Sequence, residues 1–146
     1  MSDPVIDERT GLEILGRAEC LELLAAHEIG RLAVVVAGRP LIFPIHYALD
    51  HDSVVFRTDE GLKLFALLHQ AEVAFEIDGV DEANGLAWSV IVVGTSATVV
   101  NPAEVDELAR AHQLGVWTPT AKPVWVRIRT GAVSGRRTAP PSPRGR

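Results

Sequence analysis

Hydrophobic residues along this chain recur with two periods, and the switches between them mark its elements. Residues 12–15 form a short apolar group that suits a strand or a single helical turn. After Gly16, positions 18–26 place Cys20, Leu21, Leu24 and Ala25 at helical spacings, with Glu19 and Glu22 off that stripe. This predicts an amphipathic helix, and Gly30 reads as its stop signal. Residues 32–36 are a continuous apolar run, the pattern of a strand covered on both faces. A turn at Gly38-Arg39-Pro40 leads to a second strand over 41–47. Pro44 within it has no N–H to give a ladder, so it belongs at a sheet edge or a bulge. A turn at 50–53 opens a third strand over 53–58. There Val54, Phe56 and Thr58 face one way, and Val55 and Arg57 the other.

Further on, 61–70 suits a short helix, and 72–78 alternates Val73, Phe75 and Ile77 with polar or small residues, a half-buried strand. Residues 79–85 read as an acidic loop. Strands over 88–93 and 97–100 are joined or bent at Gly94. Asn101-Pro102-Ala103-Glu104 combines an N-cap, a proline at the first helical position and a glutamate three residues after the cap. The helix it starts runs to about 112, and a last alternating strand spans 124–129. Six or seven strands, mostly with hairpin-length connections, and about three helices predict a mostly β chain. An antiparallel barrel or sandwich with helices outside fits better than a doubly wound parallel sheet. Residues 1–135 read as one domain. Residues 136–146 read as a basic, Pro-rich tail, flexible or lying over a partner.

Composition narrows the class. The 146 residues are 47% hydrophobic and 23% charged, with a net charge of -5. The acidic balance argues against a dedicated nucleic-acid binder. Cys20 is the single cysteine, so no intramolecular disulfide forms, and its apolar setting reads as a small buried hydrophobe. The polar start of the chain and the short apolar runs predict a cytoplasmic protein with no membrane partner. His27, His46, His51, His69 and His112 lack the paired spacing of a zinc site, so no metal is expected. There is no Gly-rich dinucleotide loop and no Walker-type loop.

Three groups of residues offer chemistry. Arg57, Thr58 and Lys63 bring a planar guanidinium, a hydroxyl and a point charge to a strand end followed by a predicted helix start. They make either an anion cradle or an ordinary set of surface cations, and the spacing leaves both open. Pro44, Ile45 and His46 offer a strand along which a flat ring can lie. His46 is the one candidate for proton transfer, set against a histidine merely packed at a barrel mouth. Trp88 with Ser89, and Trp125 with Arg127, flank either a planar ligand or a subunit interface, or simply fill the core.

The segments GRLAVVVAGRPLIFPIHY, VVFRTDEGLKL, VAFEID and WSVIVVGTSATVV, in this order and spacing, resemble the pyridoxamine 5′-phosphate oxidase-like flavoproteins. They are most similar to the branch that includes nitroimidazole-resistance proteins. The resemblance implies a split β-barrel that forms a homodimer, with FMN at the subunit interface, acting as an oxidoreductase on a small-molecule substrate. It implies that Arg57, Thr58 and Lys63 hold the phosphate, that Pro44, Ile45 and His46 lie beside the ring, and that Trp88 and Ser89 approach the cofactor from the other subunit. The longer basic motifs and the C-terminal Arg and His of the classical oxidase have no counterpart beyond Arg136-Arg137. Deazaflavin F420 in place of FMN, and a non-catalytic flavin or haem carrier, are the alternatives on the same fold.

Overall fold

A computed structural model describes residues 3–58, 71–114 and 124–139. In chain order the elements are β1 (Val5–Ile6), β2 (Leu12–Leu15), α1 (Arg17–Ala26), β3 (Ile29–Val36), β4 (Arg39–Asp50), β5 (Ser53–Thr58), β6 (Ala71–Asp81), β7 (Leu86–Thr98), α2 (Pro102–Ala111) and β8 (Val124–Thr138). All strand pairs are antiparallel. The order β8-β5-β4-β3-β6-β7 closes into a ring because β7 pairs back onto β8, and β2 and β1 extend from the far part of β8. The fold is a split β-barrel with flanking helices, as the resemblance implies.

Alternation along each strand separates the inside of the ring from its outer wall. Leu32, Tyr47, Phe56, Phe75, Ile77, Val90 and Val126 fill the inside, and α1 adds Cys20 and Leu24 to the same core. Tyr47 fixes the helix to the barrel: its hydroxyl donates to the Leu24 carbonyl at 2.6 Å, and its ring stands edge-on to Phe75. Burial pushes the Tyr47 phenol far above its ordinary range, so it stays a donor. Burial likewise raises the Cys20 thiol, in keeping with an inert core residue. A second, smaller core lies outside the wall, where α2 sets Leu108 against Val55 and Trp125. Asn101 caps α2 as expected, accepting from the N–H groups of Ala103 and Glu104.

Several elements differ from the sequence reading. Gly30 does not stop α1, which ends at Ala26; it lies in β3, where a Cβ would run into the Phe75 ring. The strand covered on both faces is β5, not β3. Val54 and Phe56 enter the main core and Val55 the outer one, whereas Val35 of β3 is 66% exposed. The first turn is Ala37-Gly38, both with positive φ, so Arg39 and Pro40 already belong to β4. Residues 79–81 extend β6 because they pair with residues 86–88 of β7. The two strands expected around Gly94 are one, β7, and the irregularity falls between Val93 and Gly94 as a bulge that leaves Gly131 of β8 unpaired. β8 continues three residues into the expected tail, since Arg137 pairs with Glu13 at 2.9 Å and its backbone with β2 and β7.

Pro44 sits where the barrel opens. Residues 39–46 of β4 pair with β3, and residues 47–50 pair with β5. The β4–β5 ladder therefore stops at Tyr47 and Phe56, and the stretch around Pro44 pairs with no described strand on that side.

Candidate functional site

The last residues of β5 border the gap that opens where β4 leaves it. Arg57 and Thr58 continue to pair with Trp125 and Val124 of β8, while His46 and Ile45 turn toward β3. Alternation then sorts the candidates. Pro44, His46 and Arg57 lie on the outer wall. Ile45 packs against the main core, and Thr58 is 4% exposed on the inner side with Val54 and Phe56. The side chains of Arg57 and Thr58 thus leave the strand in opposite directions. Lys63, the third member of the expected cradle, lies outside the described residues.

Arg57 differs from its neighbours in what holds it. Its guanidinium lies 5.4 Å from the centre of the Trp125 ring, a cation–π arrangement. No described carboxylate forms an ion pair with it. The nearby Arg127 donates to Asp50, Ser53 and Glu104 at 2.6–3.3 Å. An arginine oriented by a ring and unneutralised by a carboxylate keeps its fork available for an anion.

Trp88 and Ser89 stand elsewhere on the ring. Trp88 packs over Gly79, and its ring is 4.7 Å from that of His27. Ser89 faces outward beside Arg136, its partner on β8. Three inter-strand steps, about 14 Å, separate β7 from the His46 strand. Trp88 nonetheless lies against His27, which lines the same cleft as His46.

His46 also lines a cleft of about 260 Å³ with His27, Glu28, Tyr47, His112 and Gln113. The Asp50 carboxylate accepts from His112 Nε2 at 3.0 Å and from Arg127 at 2.9 Å. Partial burial opposes ionisation of Asp50, but these two bonds outweigh it and hold its carboxyl below the ordinary range. The sequence reading missed this network and the roles of His27 and His112. One local signal was present: each histidine follows an alanine that ends a helix, Ala26 and Ala111. A larger hollow, about 820 Å³, lies over the β7–β8 bulge between Glu72 and Arg129, and none of the expected site residues lines it. Among the described residues no His, Cys, Asp and Glu cluster is placed to hold a metal ion, and no helix is long and apolar enough to cross a membrane.

One further surface bears on the site. On the outer wall Ile42, Ala33, Ala74, Val93 and Ala132 stand side by side across five strands. Ile42 is 70% exposed, and Val35 and Ile91 extend the apolar area. Arg31, locked to Glu76 and Asp78, lies at its border.

The family model described as pyridoxamine 5′-phosphate oxidase matches residues 16–137. The chain belongs to this family. An uncharacterised protein of Mycobacterium tuberculosis is 30% identical, over 84% of this chain and 83% of its own. A solved FAD-binding protein from Mycobacterium smegmatis is 36% identical with a TM-score of 0.72, over 85% of this chain and 96% of that one. A putative pyridoxamine 5′-phosphate oxidase from Corynebacterium glutamicum is 34% identical with a TM-score of 0.77, over 94% of this chain and 95% of that one. Within the oxidase family, then, the match spans the whole barrel, from the start of α1 to the end of β8.

Proposed function

We propose that this chain is a flavin-binding oxidoreductase that works as a homodimer. The observation that carries the reading is Arg57, oriented by Trp125, without an ion pair to any described carboxylate, and set at the gap where β4 and β5 part. The residues fit a flavin. Arg57 would bind its phosphate, with Thr58 offering backbone and Lys63 a further charge. The stretch of β4 around Pro44, which pairs with β3 and with no described strand on its other side, offers backbone groups to the polar rim of a flat ring. When bound, a flavin supplies the hydride and electron chemistry, and the chain supplies position and surrounding charge. FMN is the cofactor expected from a phosphate cradle. FAD is the second reading, favoured by the name of the 36%-identical M. smegmatis protein.

A second copy belongs to the proposal. Soluble monomers rarely leave a contiguous apolar sheet face bare, and the five-strand apolar row offers a seat for a partner. Two copies joined there would let Trp88 and Ser89 of one reach the cofactor of the other.

The visible spectrum of the purified protein is the first test, followed by titration with FMN, FAD and F420. We expect a yellow protein, or uptake of FMN or FAD. A colourless preparation that takes up none of the three overturns the proposal, and preferential F420 binding changes the cofactor. Reduction of the bound flavin by a nicotinamide donor tests the oxidoreductase assignment, and a flavin that no donor reduces favours a carrier. Sedimentation of wild type and Ala33→Arg tests the dimer: we expect the variant to be monomeric with weakened flavin binding.

A further inference from the structure

We propose that the cleft between the ends of α1 and α2 binds a small organic cation, such as a protonated amine without a phosphate group. The cleft is lined from three elements: Ala25, His27 and Glu28 at the end of α1, residues 46–49 of β4, and residues 111–114 at the end of α2. Both helices therefore point their C-termini at the same space. A helix C-terminus carries the negative end of the macrodipole and favours positive charge. The last turn of α1 contains no basic residue to offset it; that of α2 has Arg110, which is exposed.

The side chains add to this preference. Glu28 contributes a carboxylate. His27 Nδ1 lies 2.7 Å from the Leu23 carbonyl, which can only accept, so Nδ1 carries the hydrogen and Nε2 of the neutral ring keeps a lone pair. His112 Nε2 donates to the Asp50 carboxylate at 3.0 Å, which fixes that ring at the mouth of α2. The one arginine near this network, Arg127, is already bound to Asp50 and Glu104. The described lining thus holds two helix C-termini, a carboxylate and three imidazoles, of which the neutral His27 ring keeps an acceptor nitrogen. It contains no Lys or Arg for a phosphate or carboxylate. A volume of about 260 Å³ suits a molecule of about ten to fifteen heavy atoms.

The probe series is benzylammonium, benzyl alcohol and benzoate, which share shape and differ in charge. Binding is followed by NMR through the ring signals of His27 and His112, in flavin-free and flavin-loaded protein. The inference does not rest on the flavin reading, because a protein that takes up no flavin still gives the flavin-free titration. We expect benzylammonium to shift both histidines saturably, benzyl alcohol to bind more weakly, and benzoate not to bind. Glu28 is exposed, so Glu28→Gln is expected to unfold at the wild-type temperature and to bind benzylammonium about threefold more weakly, the scale of one partly exposed ion pair. Equal or tighter binding of benzoate or benzyl alcohol overturns the proposal. So do non-saturating shifts spread over the acidic surface, and so does Glu28→Gln binding with unchanged affinity.

Discussion

Arg57 and Arg127 leave the barrel on the same outer face, diagonally across the β5–β8 ladder, and they do opposite work. Arg127 faces Val55 and is bonded to Asp50, Ser53 and Glu104, which ties β8, the β4–β5 turn and the start of α2 together. Its side chain is only 18% exposed. Arg57 faces Trp125 and rests on its ring. One arginine has its charge consumed inside the fold, and the other is held, among the described residues, by an aromatic face. A charge neutralised within the fold contributes to stability and has little left for a ligand. A charge held by an aromatic face is oriented without being neutralised. The same residue type, one turn of the alternation apart, thus separates architecture from recognition.

That division is open to direct attack. Trp125→Ala should have the largest effect, because it empties the α2 core and removes the platform under Arg57. We expect a loss of about 3–5 kcal/mol in denaturant unfolding, together with weaker flavin uptake by the folded fraction. Arg127→Met should follow, at about 1–3 kcal/mol, since it leaves the largely covered Asp50 with His112 as its one described side-chain partner. Flavin affinity per folded molecule should stay the same; a fall in affinity here would erase the contrast. Arg57→Ala should reverse the pattern. Unfolding should move by no more than about 1 kcal/mol, the scale of a cation–π contact, while flavin affinity drops by about 1.5–3 kcal/mol of charge-assisted hydrogen bonding.

The smallest effect is expected from pH. Asp50 ionises more readily in the folded chain than its ordinary value of 3.8. Its contribution to stability is therefore complete above that value and is lost as pH falls through the lower folded value. In acid unfolding, Asp50→Asn should flatten this part of the stability profile, and the Arg57 variant should leave it unchanged. A wild-type acid limb identical to that of Asp50→Asn would show that the carboxylate does not matter to the fold.

The chain's local patterns reported β5 well, because turn residues bracket it and its neighbours on both faces are apolar. The same logic failed for β3. Ala33 and Val35 look like a second buried face, yet that face is bare in a single chain, and its apolar character fits the partner surface proposed above. The placement of Arg57 was legible from its strand position. Its relation to Trp125 was not, since sixty-eight positions and three described elements separate them along the chain. Thr58 shares the face of Val54 and Phe56, as the alternation indicates, but local sequence does not show that Asp50 bridges His112 and Arg127, because those contacts exist only after α2 docks.

Gly131, the unpaired residue of β8, sets a phase along that strand. Ahead of it the odd-numbered residues, Trp125 and Arg127, face outward; after it the even-numbered ones do, with Ala132 in the apolar row and Arg136 beside Ser89. A chain one residue shorter at this point could form the same ladders only by turning one half of the strand over. It would either bury Arg127 inside the ring and release Val126 to solvent, or exchange the residues beside Ser89. A single insertion in the count of β8 therefore lets one strand serve two unrelated surfaces.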